Sequence, residues 1–161
     1  MNFRPNLRKK DDKKGGMNGS NYEPITEYMS TELVTFTPET EIMEVIDKML
    51  EHRFSGAPVL NNDKELVGLI SEKDCLKLLI DSAYHNLPIR KHLVEDYMTP
   101  DPITVSVEAD ILDVANLFLQ TGVKRFPVVD DKGKLVGQVS RRDILTAVKA
   151  ANVTTWQKAF A

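Results

Sequence analysis

The chain contains an internal repeat that aligns with itself, without a gap, at an offset of 69 residues. Residues 28–79 match 97–148 at 15 of 52 positions. The identical positions include a Tyr-Met pair near the start, a Pro-Val pair in the middle and a Ser-x-x-Asp motif near the end. Twelve of the other 37 positions exchange one apolar residue for another. Such a repeat indicates two copies of one structural unit, each of which packs against its neighbour.

Each copy predicts the order strand, helix, strand, strand, helix. In the first copy, 33–36 is a short β-prone run, and Thr37 followed by Pro38 predicts a helix N-cap with a first-turn proline. Apolar residues then recur at i, i+3, i+4, i+7 and i+8, which predicts a helix with one buried face in each copy. These residues are Ile42, Val45, Ile46, Met49 and Leu50, then Ile111, Val114, Ala115, Phe118 and Leu119.

A hairpin and a second helix complete each copy. Residues 57–60 and 66–70 are apolar runs joined by a polar turn, and the second copy repeats this pattern. Pro58 and Pro127 predict that each first hairpin strand begins at, or lies along, a sheet edge, where a missing N–H costs nothing. The closing helices are predicted at about 72–81 and 141–149.

The repeat and the local composition divide the chain into five segments. A unit of about 55 residues buries too little surface to be stable alone, so we expect the two copies to pack together. His85 and His92 fall in the connection with Pro88 between them, and we expect both histidines to be exposed to solvent. The predicted segments are a disordered basic tail at 1–22, repeat one at 23–79, a linker at 80–96, repeat two at 97–150 and a C-terminal extension at 151–161.

The two ends of the chain allow more than one interpretation. The tail carries six basic and two acidic residues, so the remainder has a net charge of −7. The tail is interpreted either as an arm that binds nucleic acid or as a leader segment exposed to solvent. We favour the solvated leader, because no aromatic residue that could stack on a base lies between its charged residues. The extension contains Trp156 and Phe160 four residues apart, and we expect it to dock on a neighbouring helix or subunit.

Several protein classes are excluded by composition. No apolar run reaches the roughly 18 to 20 residues of a membrane-spanning helix, and the basic N-terminus lacks a signal-peptide core, so we expect a cytoplasmic location. Cys75 is the single cysteine, which excludes an internal disulfide, and the three histidines lack the context of a zinc site. We expect no metal, no catalytic cofactor and no enzyme, with Cys75 as a packed side chain because no histidine is placed to activate it.

The recurring Ser-x-x-Asp motif is the strongest polar signal. Ser71 with Asp74, and Ser140 with Asp143, stand where a strand ends and a helix begins, shortly after Gly68 or Gly137. The structural interpretation is a capping box, in which the serine hydroxyl satisfies a first-turn N–H. The functional interpretation is a ligand site, because a helix N-terminus attracts phosphate and a carboxylate can accept from both hydroxyls of a ribose.

Together, these motifs make residues 24–150 resemble a pair of cystathionine β-synthase (CBS) domains, a Bateman module. The resemblance implies an α/β (α+β) fold in which two βαββα repeats pack by pseudo-twofold symmetry through their sheets. It also implies two crossed clefts for adenosine-containing ligands, in which an aspartate of one repeat holds the ribose and the other repeat supplies the adenine pocket. Carried over, the Asp143 cleft uses Val34, Phe54, Ser55, Gly56, Ala57, Pro58, Arg125, Ser140, Arg141, Arg142 and Asp143. The Asp74 cleft uses Ser71, Lys73, Asp74, Ile103, Lys124, Phe126 and Pro127.

The two clefts are not expected to be equivalent. Arg125, Arg141 and Arg142 belong to repeat two, whereas the aligned positions of repeat one are Gly56, Glu72 and Lys73. A guanidinium can bind phosphate through two parallel hydrogen bonds, so we expect tighter binding in the Asp143 cleft. In the other cleft, Phe126 either stacks on adenine or fills the pocket, and both alternatives remain open.

The resemblance therefore implies a regulatory sensor rather than a catalyst. Its expected ligand is AMP, ADP or ATP, with NAD or S-adenosylmethionine as alternatives, and its expected partners are a second copy, bound through the helices, and an unidentified effector protein. We expect neither membrane nor nucleic-acid binding. The alternative is an interaction or nucleic-acid module in which the serines only cap helices, the basic tail makes the contact and no nucleotide binds.

Overall fold

The computed structural model describes residues 22–85 and 92–159, with side chains described up to 84 and from 92 to 150. Nearly all of the predicted tail, the middle of the connection and Phe160 lie outside these ranges. The elements in chain order are a 3₁₀ turn at Ile25–Glu27, α1 (Ile42–His52), β1 (Gly56–Leu60), β2 (Leu66–Ser71), α2 (Glu72–His85), α3 (Val94–Tyr97), β3 (Thr99–Pro100), β4 (Val105–Ser106), α4 (Ile111–Thr121), β5 (Arg125–Val129), β6 (Leu135–Ser140) and α5 (Arg141–Ala159).

The fold is mixed α+β, with two three-stranded sheets that each carry helices. The first sheet has the strand order β1-β2-β3 and is antiparallel, while the second has the order β4-β5-β6, with β4 parallel to β5. Each sheet buries one apolar cluster. The first cluster contains Phe36, Ile42, Val45, Met49, Ala57, Val59, Ile70, Cys75, Val94 and Tyr97. The second contains Ile25, Val105, Ile111, Val114, Phe118, Phe126, Val128, Val139, Ile144 and Ala147.

The short segments that open the two halves, 23–30 and 92–99, are exchanged between the cores. Ile25 comes first in the chain but is fully buried in the second cluster, and Val94 is fully buried in the first. We call these two stretches the opening segments. They stand 69 residues apart, so the exchange repeats the internal symmetry of the sequence. Each core is therefore completed by apolar side chains from the other half of the chain.

Backbone hydrogen bonds hold both opening segments in equivalent places. The Ile25 N–H donates to the Ala109 carbonyl at 3.0 Å, and the Val94 N–H donates to the Thr40 carbonyl at 2.9 Å. At the far end, Ser30 exchanges two hydrogen bonds of 2.9 Å with Gln138 on β6. The matching contact in the other half is β3, which pairs with Gly68 and Leu69 on β2. All these partners are related by the 69-residue shift.

The Tyr-Met pair recurs because its methionine packs on a glycine in the other half. A Cβ atom on Gly137 would lie 2.6 Å from the Met29 Sδ and 3.0 Å from the Ser30 carbonyl oxygen. A Cβ atom on Gly68 would meet the Met98 Sδ in the same way. Glycine is therefore required in β2 and β6 for close approach of the opening segments, which explains the glycine common to both hairpins.

The predicted start of α1 is wrong. The helix begins at Ile42 with Glu41 as its N-cap residue, not after Thr37. Residues 37–40 form a separate turn, in which the Thr37 N–H donates to the Thr40 Oγ1 at 3.1 Å. The Ile42 N–H donates to the His92 carbonyl of an opening segment at 2.9 Å. A tertiary contact thus sets the helix start where a local signal indicated an earlier one.

The predicted strand at 33–36 shortens to a single bridge between Phe36 and Val59, whereas its counterpart forms the two-residue strand β4. Helix α2 continues to His85 and α5 to Ala159, past the predicted ends at about 81 and 149. Neither extension contains glycine or proline, the residues that stop a helix most strongly.

Proline position is correctly predicted in one hairpin and not in the other. Pro58 lies in β1, the outer strand of the first sheet, whose far side carries, within the described ranges, only the single bridge to Phe36. Pro127 lies in β5, which is the central strand of the second sheet. Strand β4 pairs only with Val128 and Val129, so the missing N–H of Pro127 removes no hydrogen bond between these two strands.

His92 is partly buried, in contrast to the expected exposure. The Tyr97 hydroxyl lies 2.7 Å from the His92 Nδ1 and donates to the Asp81 Oδ2 at 3.0 Å. Burial, followed by the Asp81 carboxylate, raises the pKa of Tyr97 to about 12. These polar contacts join an opening segment to α2. The side chain of His85 lies outside the described residues.

The close packing of Met29 on Gly137 predicts that one added methyl group at Gly137 destabilises the fold. We expect Gly137→Ala to lower the free energy of unfolding by about 1–3 kcal/mol, because the new Cβ crowds Met29 and the Ser30 backbone. Urea denaturation followed by circular dichroism measures this loss. In a Met29→Ala background the loss should be smaller, and an equal loss in both backgrounds would contradict the proposed packing.

Candidate functional site

Both Ser-x-x-Asp motifs form the same structure at a strand-to-helix corner. The Ser71 N–H and hydroxyl both donate to the Asp74 Oδ2, at 3.0 and 2.6 Å, and the Ser140 N–H and hydroxyl donate to the Asp143 Oδ2 at 2.7 and 2.8 Å. Each serine oxygen also accepts from the aspartate N–H, at 3.4 and 3.3 Å. The structural interpretation of the motif is therefore confirmed, and it uses one carboxylate oxygen of each aspartate.

The second carboxylate oxygen differs between the two corners. Oδ1 of Asp74 accepts a hydrogen bond from the Lys77 Nζ at 3.1 Å. The position equivalent to Lys77 is Thr146, whose hydroxyl donates to the Arg142 carbonyl instead. In the described part of the chain, the structure shows no hydrogen bond to Oδ1 of Asp143. The Asp143 corner thus keeps an acceptor that the Asp74 corner has already engaged.

A cavity of about 570 Å³ opens at the Asp74 corner. This volume lies within the range of small-molecule sites. Both halves contribute to its wall, so the cleft is crossed. Of the residues predicted for this cleft, the cavity brings together Ser71, Lys73, Asp74, Ile103 and Lys124.

The cavity also contains residues that were not predicted for it. Ser55 and Arg125 line it, although the resemblance assigned both to the Asp143 cleft. The wall further includes Leu69, Glu72, Lys77, Thr99, Asp101, Pro102, Thr121, Gly122 and Val123. Lys77 follows Asp74 by three residues on one helix, a spacing that could have identified it. Thr99 and Asp101 reach the cleft through the exchange, which the repeat pattern alone does not indicate.

Phe126 and Pro127 do not line this cavity. Phe126 is fully buried in the second core, with its ring centroid 4.6 Å from that of Phe118, and the side chain of Pro127 is fully buried as well. Successive side chains of a strand point to opposite faces, so β5 buries Phe126 while Arg125 faces the cavity. The structure thus places Phe126 in the second core, whereas the resemblance implied a residue that stacks on adenine or fills the adenine pocket.

Residues predicted for the Asp143 cleft fall into three groups. Ser140 and Asp143 form the corner itself, whereas Ala57 belongs to the first core, Phe54 packs against that core and the side chain of Pro58 is fully buried. Val34 is 36% exposed, and Arg141 and Arg142 are exposed at the start of α5. The Arg141 Nε donates to the Val123 carbonyl at 3.1 Å, which directs this side chain toward the wall of the Asp74 cavity.

Arg125 connects the two halves at the centre of the site. Its Nη1 donates to the Gly56 carbonyl at 3.0 Å and its Nη2 donates to the Ser55 hydroxyl. Burial lowers the pKa of this guanidinium, while the Asp143 and Glu72 carboxylates act in the opposite direction. Arg125 therefore interacts electrostatically with the Asp143 carboxylate while its side chain lines the Asp74 cavity.

Gly56 provides the space that Arg125 occupies. The two residues are equivalent under the 69-residue shift, and a Cβ atom on Gly56 would lie 3.3 Å from the Arg125 Cδ and 3.0 Å from the Ile70 carbonyl oxygen. The missing side chain at Gly56 is thus the complement of the long side chain at Arg125.

Cys75 is not arranged as a nucleophile. It is buried in the first core, and burial, followed by the nearby Asp74 carboxylate, raises the pKa of its thiol to about 11. A thiol with this pKa is protonated near neutral pH, whereas catalysis needs the thiolate. Across 22–85 and 92–159, no cluster of three or more histidine, cysteine or carboxylate side chains could hold a metal ion. The described helices also include none with the length and hydropathy needed to cross a membrane.

Comparisons with known proteins agree with this architecture. The model of the CBS domain family matches the chain twice, at 25–81 and 94–150. CBSX1, a chloroplastic CBS domain-containing protein of Arabidopsis thaliana, is 32% identical, and the match covers 76% of this chain and 63% of the relative. The match to protein MJ1225 of Methanocaldococcus jannaschii is also 32% identical and covers 76% of this chain. The chain spans only 42% of the length of that second relative.

Solved structures of two proteins share the fold and carry adenosyl ligands. A crystal structure of CBSX2 in complex with AMP has a TM-score of 0.71 and 29% identity, and it covers 80% of this chain and 98% of CBSX2. The CBS domain pair of MJ0100, in complex with 5′-methylthioadenosine and S-adenosyl-L-methionine, has a TM-score of 0.70 and 25% identity. It covers 81% of this chain and 98% of the other.

The position of Arg125 predicts a stabilising role that an exposed arginine lacks. We expect Arg125→Ala to lower the free energy of unfolding by about 1–3 kcal/mol, because the Gly56 carbonyl loses its donor and the half-buried stem leaves a void. Arg141→Ala removes an exposed guanidinium as the control and should cost less than about 1 kcal/mol. Urea denaturation compares the two, and equal losses would contradict the bridging role.

Proposed function

Because this chain belongs to the CBS domain family, with two CBS domains in tandem, we propose that it is a regulatory protein that binds an adenine nucleotide between its repeats. Ligand binding would change the relative arrangement of the two halves, and a partner protein would read that change. The observation that carries this proposal is the Asp74 cavity, where a corner carboxylate of one half faces cations and apolar side chains of the other.

The chemistry of the two corners suits an adenosine nucleotide. A carboxylate with one oxygen fixed by serine can accept from the ribose hydroxyls through the other oxygen. Lys73 in the first turn after one corner, and Arg142 in the first turn after the other, can bind phosphate, and Ile103 offers an apolar surface for the base. The ligands present in the CBSX2 and MJ0100 structures support an adenosyl ligand in general. We propose AMP, ADP or ATP, with NAD and S-adenosylmethionine as the other candidates.

We propose further that the Asp143 cleft binds the nucleotide more tightly. The hydrogen bonds of the two corners support this order, because Oδ1 of Asp74 is paired with Lys77, whereas the described residues show no hydrogen bond to Oδ1 of Asp143. Arg142, exposed in the first turn of α5, adds positive charge next to Asp143 in the sequence. A ligand in this cleft can therefore use the carboxylate without first breaking an ion pair.

A conformational signal needs a ligand that prefers one arrangement of the halves over another. A nucleotide that contacts Asp74 and Lys124 together would meet this condition, because the two residues come from different halves. Arg125 would transmit the effect, since it bonds to β1 and faces the charge of Asp143. The alternative function, a nucleic-acid or interaction module, depends on the basic tail, which lies outside the described residues.

We propose that the protein forms a homodimer through its helices. Large apolar side chains remain exposed on the helices of both halves, an arrangement typical of association surfaces. Helix α5 includes most of the C-terminal extension and ends at Ala159. The side chain of Trp156 lies outside the described residues, and its docking on a neighbouring helix or subunit stays a prediction. The exposed residues include Leu50, Leu76, Leu79 and Tyr84 in the first half, and Leu119 and Leu145 in the second.

The nucleotide proposal predicts saturable binding of AMP that depends on Asp143. Asp143→Asn retains an acceptor for Ser140 and replaces the second oxygen by an N–H donor, so we expect about a tenfold or greater loss of affinity in that cleft. Isothermal titration calorimetry measures the change. Asp131→Asn, in the exposed β5–β6 turn, is the control and should bind as the unaltered chain does. Absence of binding of every adenine compound at millimolar concentration would refute the proposal.

The dimer proposal predicts that a charge on the helical face weakens association. We expect Leu119→Glu to shift the protein toward the monomer, because Leu119 is 85% exposed and a carboxylate is costly to bury. Multi-angle light scattering measures the mass. Asn62→Glu, in the exposed β1–β2 turn, adds the same charge away from the helices and should leave the mass unchanged. A monomeric unaltered chain, or an unaffected Leu119→Glu mass, would contradict this face.

A further inference from the structure

We propose that Lys77 makes the Asp74 cleft select phosphorylated adenosines over uncharged nucleosides. This inference rests on the proposed function and goes beyond it, because it assigns one residue the discrimination between nucleotide and nucleoside. The ammonium group stands where a ribose hydroxyl would donate, 3.1 Å from the Asp74 Oδ1. A ligand must displace it before the ribose can reach that oxygen.

The cost of this displacement depends on what the ligand offers in return. The side chain of Asp74 is only 9% exposed, so its charge is poorly solvated once the ion pair breaks. The side chain of Lys77 is 55% exposed and lines the same cavity on a flexible four-carbon stem. The ribose hydroxyls can satisfy the carboxylate after the exchange. A phosphate group can satisfy the ammonium, whereas a nucleoside has no anionic group for it.

The other charged residues of the cavity do not share with Lys77 the role of distinguishing nucleotides from nucleosides. Arg125 is committed to the Gly56 carbonyl and the Ser55 hydroxyl. Glu72 and Asp101 also line the cavity and repel a phosphate. The remaining cations of the wall are Lys73 and Lys124, both exposed and therefore well solvated. Lys77 differs from them because its pairing changes when the ribose arrives.

The second half provides the natural contrast. Thr146 occupies the position of Lys77, and its hydroxyl bonds to the backbone of its own helix. No ammonium group therefore needs to leave when a ribose binds Asp143, and a nucleoside meets no corresponding penalty there. Lys77 therefore raises the ratio of adenosine to AMP dissociation constants in the Asp74 cleft alone, and we expect adenosine itself to bind more tightly in the Asp143 cleft.

The experiment isolates one cleft at a time in the full chain. Asp143→Asn weakens one cleft, and AMP and adenosine are titrated by calorimetry into this chain with and without Lys77→Thr. We expect Lys77→Thr to lower the adenosine-to-AMP ratio about tenfold, the effect of one charge-assisted hydrogen bond, mainly through tighter adenosine binding. Lys48→Thr removes an equally charged residue of α1 outside the cavity wall and should leave the ratio unchanged.

The reverse substitution tests the same idea in the other cleft. In an Asp74→Asn chain, Thr146→Lys should raise the ratio. An unchanged ratio in the Lys77→Thr chain, or weaker adenosine binding, would overturn the proposal. So would failure of the Asp143→Asn chain to bind AMP, although the proposed function would survive if the unaltered chain binds it. If the unaltered chain binds no adenine nucleotide, the proposed function fails as well.

Discussion

The exchange of the opening segments is the contact on which the remaining structure depends. Ile25 completes the core of the second half and Val94 completes the core of the first, so neither core is closed by its own sequence. The exchange also brings Thr99 and Asp101 to the Asp74 corner and fixes the start of α1 through the His92 carbonyl. Stability, helix register and the composition of the cleft thus have one common origin.

Much of this fold could be predicted from the sequence because the signals repeat. The periodic apolar residues of α1 and α4, the two hairpins and both serine caps are local patterns, and two copies reinforce each one. The predictions that the structure contradicts share one physical cause, which is contact with segments distant in the sequence. Thr37 carries a sound local helix signal, but the opening segment bonds to Ile42 and moves the start. Pro127 lies in a central strand because its neighbour β4 is too short to need its N–H.

The site is less predictable than the fold because its residues come from different parts of the chain. Ser71 and Asp74 lie three residues apart in one motif, which predicts them directly, whereas Asp101 enters the cleft only through the exchange. The resemblance implies that Phe126 stacks on adenine or fills the pocket, but the alternation of side chains along β5 places it in the second core. Arg125 was assigned to one cleft and lines the other, since it crosses to Gly56 at the boundary between the halves.

The pairing of Gly56 with Arg125 shows what joining two repeats in one chain makes possible. In a symmetric assembly of two identical repeats, this position would be filled twice by the same residue. Two arginines would bring like charges together at short range, and two glycines would leave the contact without a side chain. A single polypeptide can place a different residue on each side, so a guanidinium from one half fills the space that the other half leaves open. Covalent linkage thus permits a contact that exact symmetry forbids.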